Sequence, residues 1–134
     1  MRSHAFGLFF LSVALLAAAA PALAHHSFAA EFDANQPTTI KGNVTRIAWT
    51  NPHVWVYLNV KDEAGKLVNW GFEMGAPHQL QRQGWTRELV KPGVEIIAAG
   101  SRARDGSNRM NARTVTWAAT GKSLLAASSE APTP

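Results

Sequence analysis

Ile40-Lys41-Gly42-Asn43-Val44-Thr45-Arg46-Ile47-Ala48-Trp49 is the stretch on which the fold turns. Its apolar side chains fall at Ile40 and Val44, with Gly42 between them, and then change phase to Ile47 and Trp49. Successive side chains of a strand point to opposite faces, so a slip of phase beside a glycine marks a bulge and a strong bend.

The segments on its C-terminal side are read against that strand. Asn51-Pro52 makes a turn, and residues 54–60 give the cleanest alternation in the chain. Val54, Val56, Leu58 and Val60 share one face, while Trp55, Tyr57 and Asn59 share the other. A loop at Asp62-Glu63-Ala64-Gly65-Lys66 leads to a third strand over residues 67–74, with Val68, Trp70, Phe72 and Met74 on its apolar side. Gly75-Ala76-Pro77 opens a short helix, which Gly84 caps. A fourth strand over residues 94–99 and a fifth over 110–117 flank a turn at Asp105-Gly106. Three strands, a short helix and two further strands, with the first strand bent, is the order of a five-stranded OB-fold barrel over residues 39–119. An immunoglobulin-like sandwich asks for about seven strands and fits less well. Residues 25–38 read as an extended N-terminal arm that Phe28 and Phe32 pin to the domain, and residues 120–134 as a disordered tail.

Residues 1–24 have the order of a secretory signal. Arg2 supplies positive charge, an apolar run follows, and Ala22 and Ala24 are the small residues a signal peptidase accepts. Pro21 and His25-His26 break the run short of the roughly 20 apolar residues of a membrane span. Cleavage after Ala24 leaves 110 residues with 12 basic and 9 acidic side chains, a net charge of +3. That charge is too small for a nucleic-acid binder, and the cluster Arg102, Arg104, Arg109 and Arg113 surrounds a turn, as a solvated hairpin would. No cysteine occurs, which excludes disulfides, thiolate metal ligands and a lipoprotein anchor. The expectation is a periplasmic or secreted bacterial protein with no membrane anchor once the signal is removed.

The mature stretch from His25 to about Lys122 resembles a known family of bacterial exported proteins. The resemblance is carried by His25-His26-Ser27-Phe28-Ala29-Ala30-Glu31-Phe32-Asp33 and Trp49-Thr50-Asn51-Pro52-His53. It continues through Trp70, Glu73-Met74-Gly75, Arg82-Gln83-Gly84-Trp85-Thr86-Arg87, Gly100-Ser101-Arg102 and Asp105-Gly106. These motifs are similar to those of the domain of unknown function DUF6152. The resemblance implies a small secreted β-domain and assigns it no catalytic residues.

The chemistry on offer is mostly nitrogen. After cleavage the chain would begin with His25-His26, whose α-amino group and imidazoles chelate metals, and His53 follows the rigid Asn51-Pro52 turn as the best remote partner. Three or four nitrogens favour copper, with zinc as the competitor. Proton competition would weaken such a site below about pH 6. The bland reading of the same residues is a loose terminus with adventitious affinity and a His53 that bonds a loop carbonyl.

The second constellation is Trp55 and Tyr57, a candidate ligand-binding platform on the face that OB-folds often use for a small ligand or a protein partner. Trp49 and Trp70 read as core, and Trp85 as the residue that packs the helix. Glu73 lies opposite the apolar stripe of its strand, with Arg82 or Arg102 as expected partner. Without a nucleophile–base pair or a phosphate loop, the chain is expected to be a binding protein and not an enzyme.

Overall fold

The structure, a computed structural model, describes residues 28–130. The expected signal segment, His25 and His26 lie outside the described residues. A helical turn over residues 28–31 leads into β1 (Phe32–Ala48), followed by β2 (Trp55–Lys61) and β3 (Leu67–Glu73). Helix α1 (Pro77–Arg82) separates these from β4 (Glu95–Ala103), β5 (Arg109–Trp117) and β6 (Ser123–Leu125). The protein is mostly β. Its sheet runs in the order β3-β2-β1-β4-β5-β6, antiparallel throughout, and β3 additionally pairs parallel with β5 at Gly71↔Arg109, Phe72↔Met110 and Glu73↔Asn111.

The 17-residue β1 makes this arrangement possible. Its C-terminal half pairs with β2 and most of its length pairs with β4, so one strand serves both halves of the sheet. The expected slip is present: the β1–β2 register shifts between Val44 and Arg46, which leaves Thr45 as the extra residue. Gly42 is close by but has a different task. A Cβ there would lie 2.2 Å from the Asn59 carbonyl oxygen, so glycine permits the close approach of β2. Gly100 plays the same part on β4, where a Cβ would meet the Asn111 oxygen at 1.9 Å beside the register shift between Ala99 and Gly100.

The core gathers the inward stripes. Val56 and Leu58 of β2, Phe72 of β3, Ile96 and Ala98 of β4, and Met110 and Val115 of β5 are all fully buried. Leu80 joins them because α1 is short and turns a single apolar side chain inward. Pro77 starts that helix, the Ala76 N–H donates to Gln79 Oε1, and Gly84 ends it in the left-handed region at φ 91°. Trp49 and Trp70 pack against this core from its edge, half-buried, and Trp85 is buried within it.

Two boundaries differ from expectation. β1 begins at Phe32 instead of near Ile40, because residues 34–36 form a bulge between the pairings Asp33↔Arg102 and Pro37↔Ser101. Asp33 stabilises the bulge by accepting from the Asn35 N–H and from Gln36 Nε2. The second difference is at the other end. The chain after Thr120, expected to be a tail, adds β6 as a sixth strand beside β5 and buries Ala126 completely. The Trp85 indole N–H fixes it by donating to the Leu125 carbonyl. Residues 126–130 then run on across the outer face of β5.

Candidate functional site

The turn after β1 contains a cis Asn51–Pro52 peptide and delivers His53 to the start of β2. There its Nδ1 stands 2.9 Å from Glu73 Oε1. Glu73 ends β3, and its position places it on the outer face, opposite the core stripe of Phe72 and Met74. It is nevertheless only 6% exposed. Segments from both ends of the described chain gather around its neighbours.

On the C-terminal side, Asn111 of β5 donates through Nδ2 to Glu73 Oε1 at 3.4 Å and to Ser129 Oγ at 3.2 Å. The Ser128 hydroxyl donates to Asn111 Oδ1. Glu130 closes the segment, accepting from Ser101 Oγ and holding Arg113 Nη1 at 2.9 Å. On the N-terminal side, Phe28 and Phe32 form a second apolar cluster with Ala103, and Trp55 packs against it. Arg104, the first residue after β4, fastens this segment: its Nε donates to the Ala29 carbonyl at 2.7 Å and its backbone N–H donates to the Glu31 carbonyl.

Burial sets the electrostatics of the pair. Loss of water around Glu73, reinforced by the Glu31 carboxylate, pushes its carboxyl up to about 7, against the smaller opposing pull of Asn111 and Arg109. A buried acid poised there is a proton acceptor near neutrality. Because Nδ1 of His53 faces Glu73, Nε2 is the nitrogen left to meet a ligand, and the ring is about one-third exposed. A histidine oriented by a buried carboxylate is the arrangement that fixes the tautomer of metal-binding imidazoles. Among the described residues, no group of three or more His, Asp or Glu side chains is placed to hold a metal ion, so His53 would need donors from outside them.

The other expected residues divide. Trp55 and Tyr57 stand side by side with ring centroids 6.3 Å apart. The Trp55 ring, however, is engaged by the Phe28–Phe32 cluster, and Arg46 lies 3.9 Å over the Tyr57 ring, which leaves little open platform. His78 is exposed on α1. Neither Arg82 nor Arg102 pairs with Glu73; His53 takes that place, since the turn brings an imidazole to a carboxylate that the sheet already holds. The four arginines around the β4–β5 turn do not act together. Arg104 holds the N-terminal segment, Arg109 pairs with Asp105, Arg113 pairs with Glu130 and Arg102 lies over Trp70. In the same turn Ser107, through its side chain and its backbone N–H, and then Arg109 hold the exposed Asp105 carboxyl down at about 2.

A family model described as a family of unknown function, DUF6152, matches residues 13–112. The chain belongs to this family. A search of curated proteins finds no match. Among the described residues, no helix is long and apolar enough to cross a membrane.

Proposed function

We propose that the chain is an exported, non-enzymatic binding protein that holds copper between its mature N-terminal histidines, His25 and His26, and His53. The observation that carries this reading is the His53–Glu73 pair, in which a buried carboxylate orients an accessible imidazole. The course of the N-terminal segment supports it. Phe28 packs in the cluster that Trp55 joins, and Trp55 is the cross-strand partner of Glu73. His25 precedes Phe28 by three positions, a span of about 10 Å for an extended chain, so the terminal donors have the reach to meet His53. Copper is favoured over zinc by the order of divalent affinities at nitrogen sites. The scaffold fits an OB-like barrel of five strands with β6 appended, because the β3–β5 pairing joins the two ends of a β1-β2-β3-β5-β4 circuit.

The test is a copper titration of protein purified after its own export, with the N-terminus sequenced. Removing His25 and His26, or replacing His53 with Ala, is expected to weaken Cu(II) binding by roughly tenfold or more in each case. Glu73→Gln is expected to weaken it by about tenfold through loss of orientation. Electron paramagnetic resonance is expected to report nitrogen coupling that diminishes in both histidine variants. Equal affinity in the unaltered protein and in the variant lacking the two terminal histidines would overturn the reading.

A further inference from the structure

A second site lies away from the Glu73 face, at an open end of the sheet's interior. The inward stripe of β4 runs Ile96, Ala98, Gly100, and the next residue in that alternation is Arg102. An arginine thus stands where the pattern would place an apolar side chain. Its guanidinium lies 5.4 Å from the centre of the Trp70 ring, and Nη2 donates to the Gly106 carbonyl at 3.2 Å. Nε is buried and has no hydrogen-bond partner among the described residues, and no carboxylate there forms an ion pair with the group. A half-buried guanidinium with a buried N–H left unpaired and no carboxylate against it is a place where an anion is favoured.

The space beside it has the size and walls for one. A cleft of about 680 Å³ opens there, with Ile40, Val60, Val68 and Trp70 as apolar wall and Arg102 among them. That volume falls within the range of small-molecule sites, which favour the mouths of closed sheets. Two acids stand at the rim, Asp62 and Glu63. Asp62 is committed to its own turn, where Oδ1 accepts from the Ala64 and Lys66 N–H groups. Glu63 is exposed, and Lys61 on the same rim is opposite in sign.

We propose that this cleft binds a small aromatic carboxylate, with its ring against Trp70 and Val68 and its carboxylate on the Arg102 guanidinium. A planar carboxylate matches the fork of the guanidinium, and a flat apolar body matches the wall. The site shares no residue with the His53–Glu73 pair, so it stands or falls independently of copper.

Titration calorimetry of the full chain with 2-naphthoate, its neutral amide 2-naphthamide and inorganic phosphate tests the assignment. Saturable binding of 2-naphthoate is expected, with the amide and phosphate each weaker by roughly tenfold or more. Arg102→Gln is expected to lose about the same factor, and Arg102→Lys, which keeps the charge without the fork, to fall between. In nuclear magnetic resonance spectra the Trp70 indole N–H is expected to shift while that of Trp55 stays fixed. Equal binding of acid and amide, unchanged affinity in Arg102→Gln, the absence of saturation, or shifts centred on Trp55 would each overturn the proposal. If Arg102→Gln fails to fold, the comparison of acid with amide on the unaltered protein decides the matter alone.

Discussion

Replacing Trp85 with alanine is expected to destabilise the protein by about 4 kcal/mol, a large part of the total stability of a domain this size. Trp85 is among the largest fully buried side chains, 2% exposed, and it joins three parts of the molecule. Its backbone N–H donates to the Leu80 carbonyl at the end of α1, and its ring meets Trp117 of β5 at 5.4 Å between centroids. The indole N–H donates to Leu125 of β6 at 2.7 Å. Alanine leaves a cavity and an orphaned carbonyl together. Phenylalanine fills most of the volume and loses the hydrogen bond, so it is expected to cost less, about 1–2 kcal/mol. Urea denaturation measures both. Hydrogen exchange is expected to show early loss of protection at residues 124–126 in the alanine variant. A loss below about 1 kcal/mol for Trp85→Ala would show that the last strand and the helix do not depend on this contact.

The second large effect is a reversed dependence on pH. The Glu73 carboxyl titrates near 4.5 in the unfolded chain and near 7 in the folded one. Between those values the folded state holds more protons than the unfolded state, so stability falls as pH rises. The contribution is complete below about pH 4.5 and is lost by the time pH has passed 7. Its full size is on the order of 3 kcal/mol, and the hydrogen bond from His53 Nδ1 to the ionised carboxylate recovers part of it. Glu73→Gln removes the titration. The difference in unfolding free energy between the two proteins is therefore expected to change steadily from pH 4.5 to 8, in favour of the glutamine variant at the alkaline end. Denaturation curves at closely spaced pH values measure that difference, and a flat difference would mean that Glu73 is solvated. A protein that keeps so costly a carboxylate gains something other than stability from it, and orientation of His53 is the use that the geometry offers.

Local pattern made much of this architecture legible, because local pattern caused it. The phase change around Thr45, the alternation from Val54 to Val60 and the Pro77 start of α1 are short-range signals, and each has its counterpart in the sheet. The extent of β1 and the existence of β6 were not legible. Residues 25–38 read as an extended arm beside the domain, yet the chain bulges after Asp33 and resumes pairing with β4 at Pro37↔Ser101. Ser123–Leu125 has the composition of a tail, and what makes it a strand is the edge of β5 together with an indole from a residue 40 positions earlier. The site divides along the same line. His53 stands out by its turn, but its partner is set by the pairing that puts Trp55 opposite Glu73, and the groups gathered around that pair come from Asn111 with Ser128 and Ser129 and from the Phe28–Phe32 cluster that Trp55 joins. Asn111, the residue that links Glu73 to the C-terminal segment, carries no signal in sequence beyond its place on a strand.

The enclosure of Glu73 by segments from opposite ends of the fold has a temporal side. A chain that emerges N-terminus first, whether from a ribosome or through a translocation channel, presents His53 and Glu73 long before Ser128 and Glu130 arrive. Until those residues dock on Asn111 and Arg113, the polar network that Asn111 carries to Glu73 is incomplete. The histidine–carboxylate pair thus acquires its full surroundings only after residues 128–130 have been made and have docked. A chain cut before residue 128 lacks that network, even where the strands that carry the two residues have already paired.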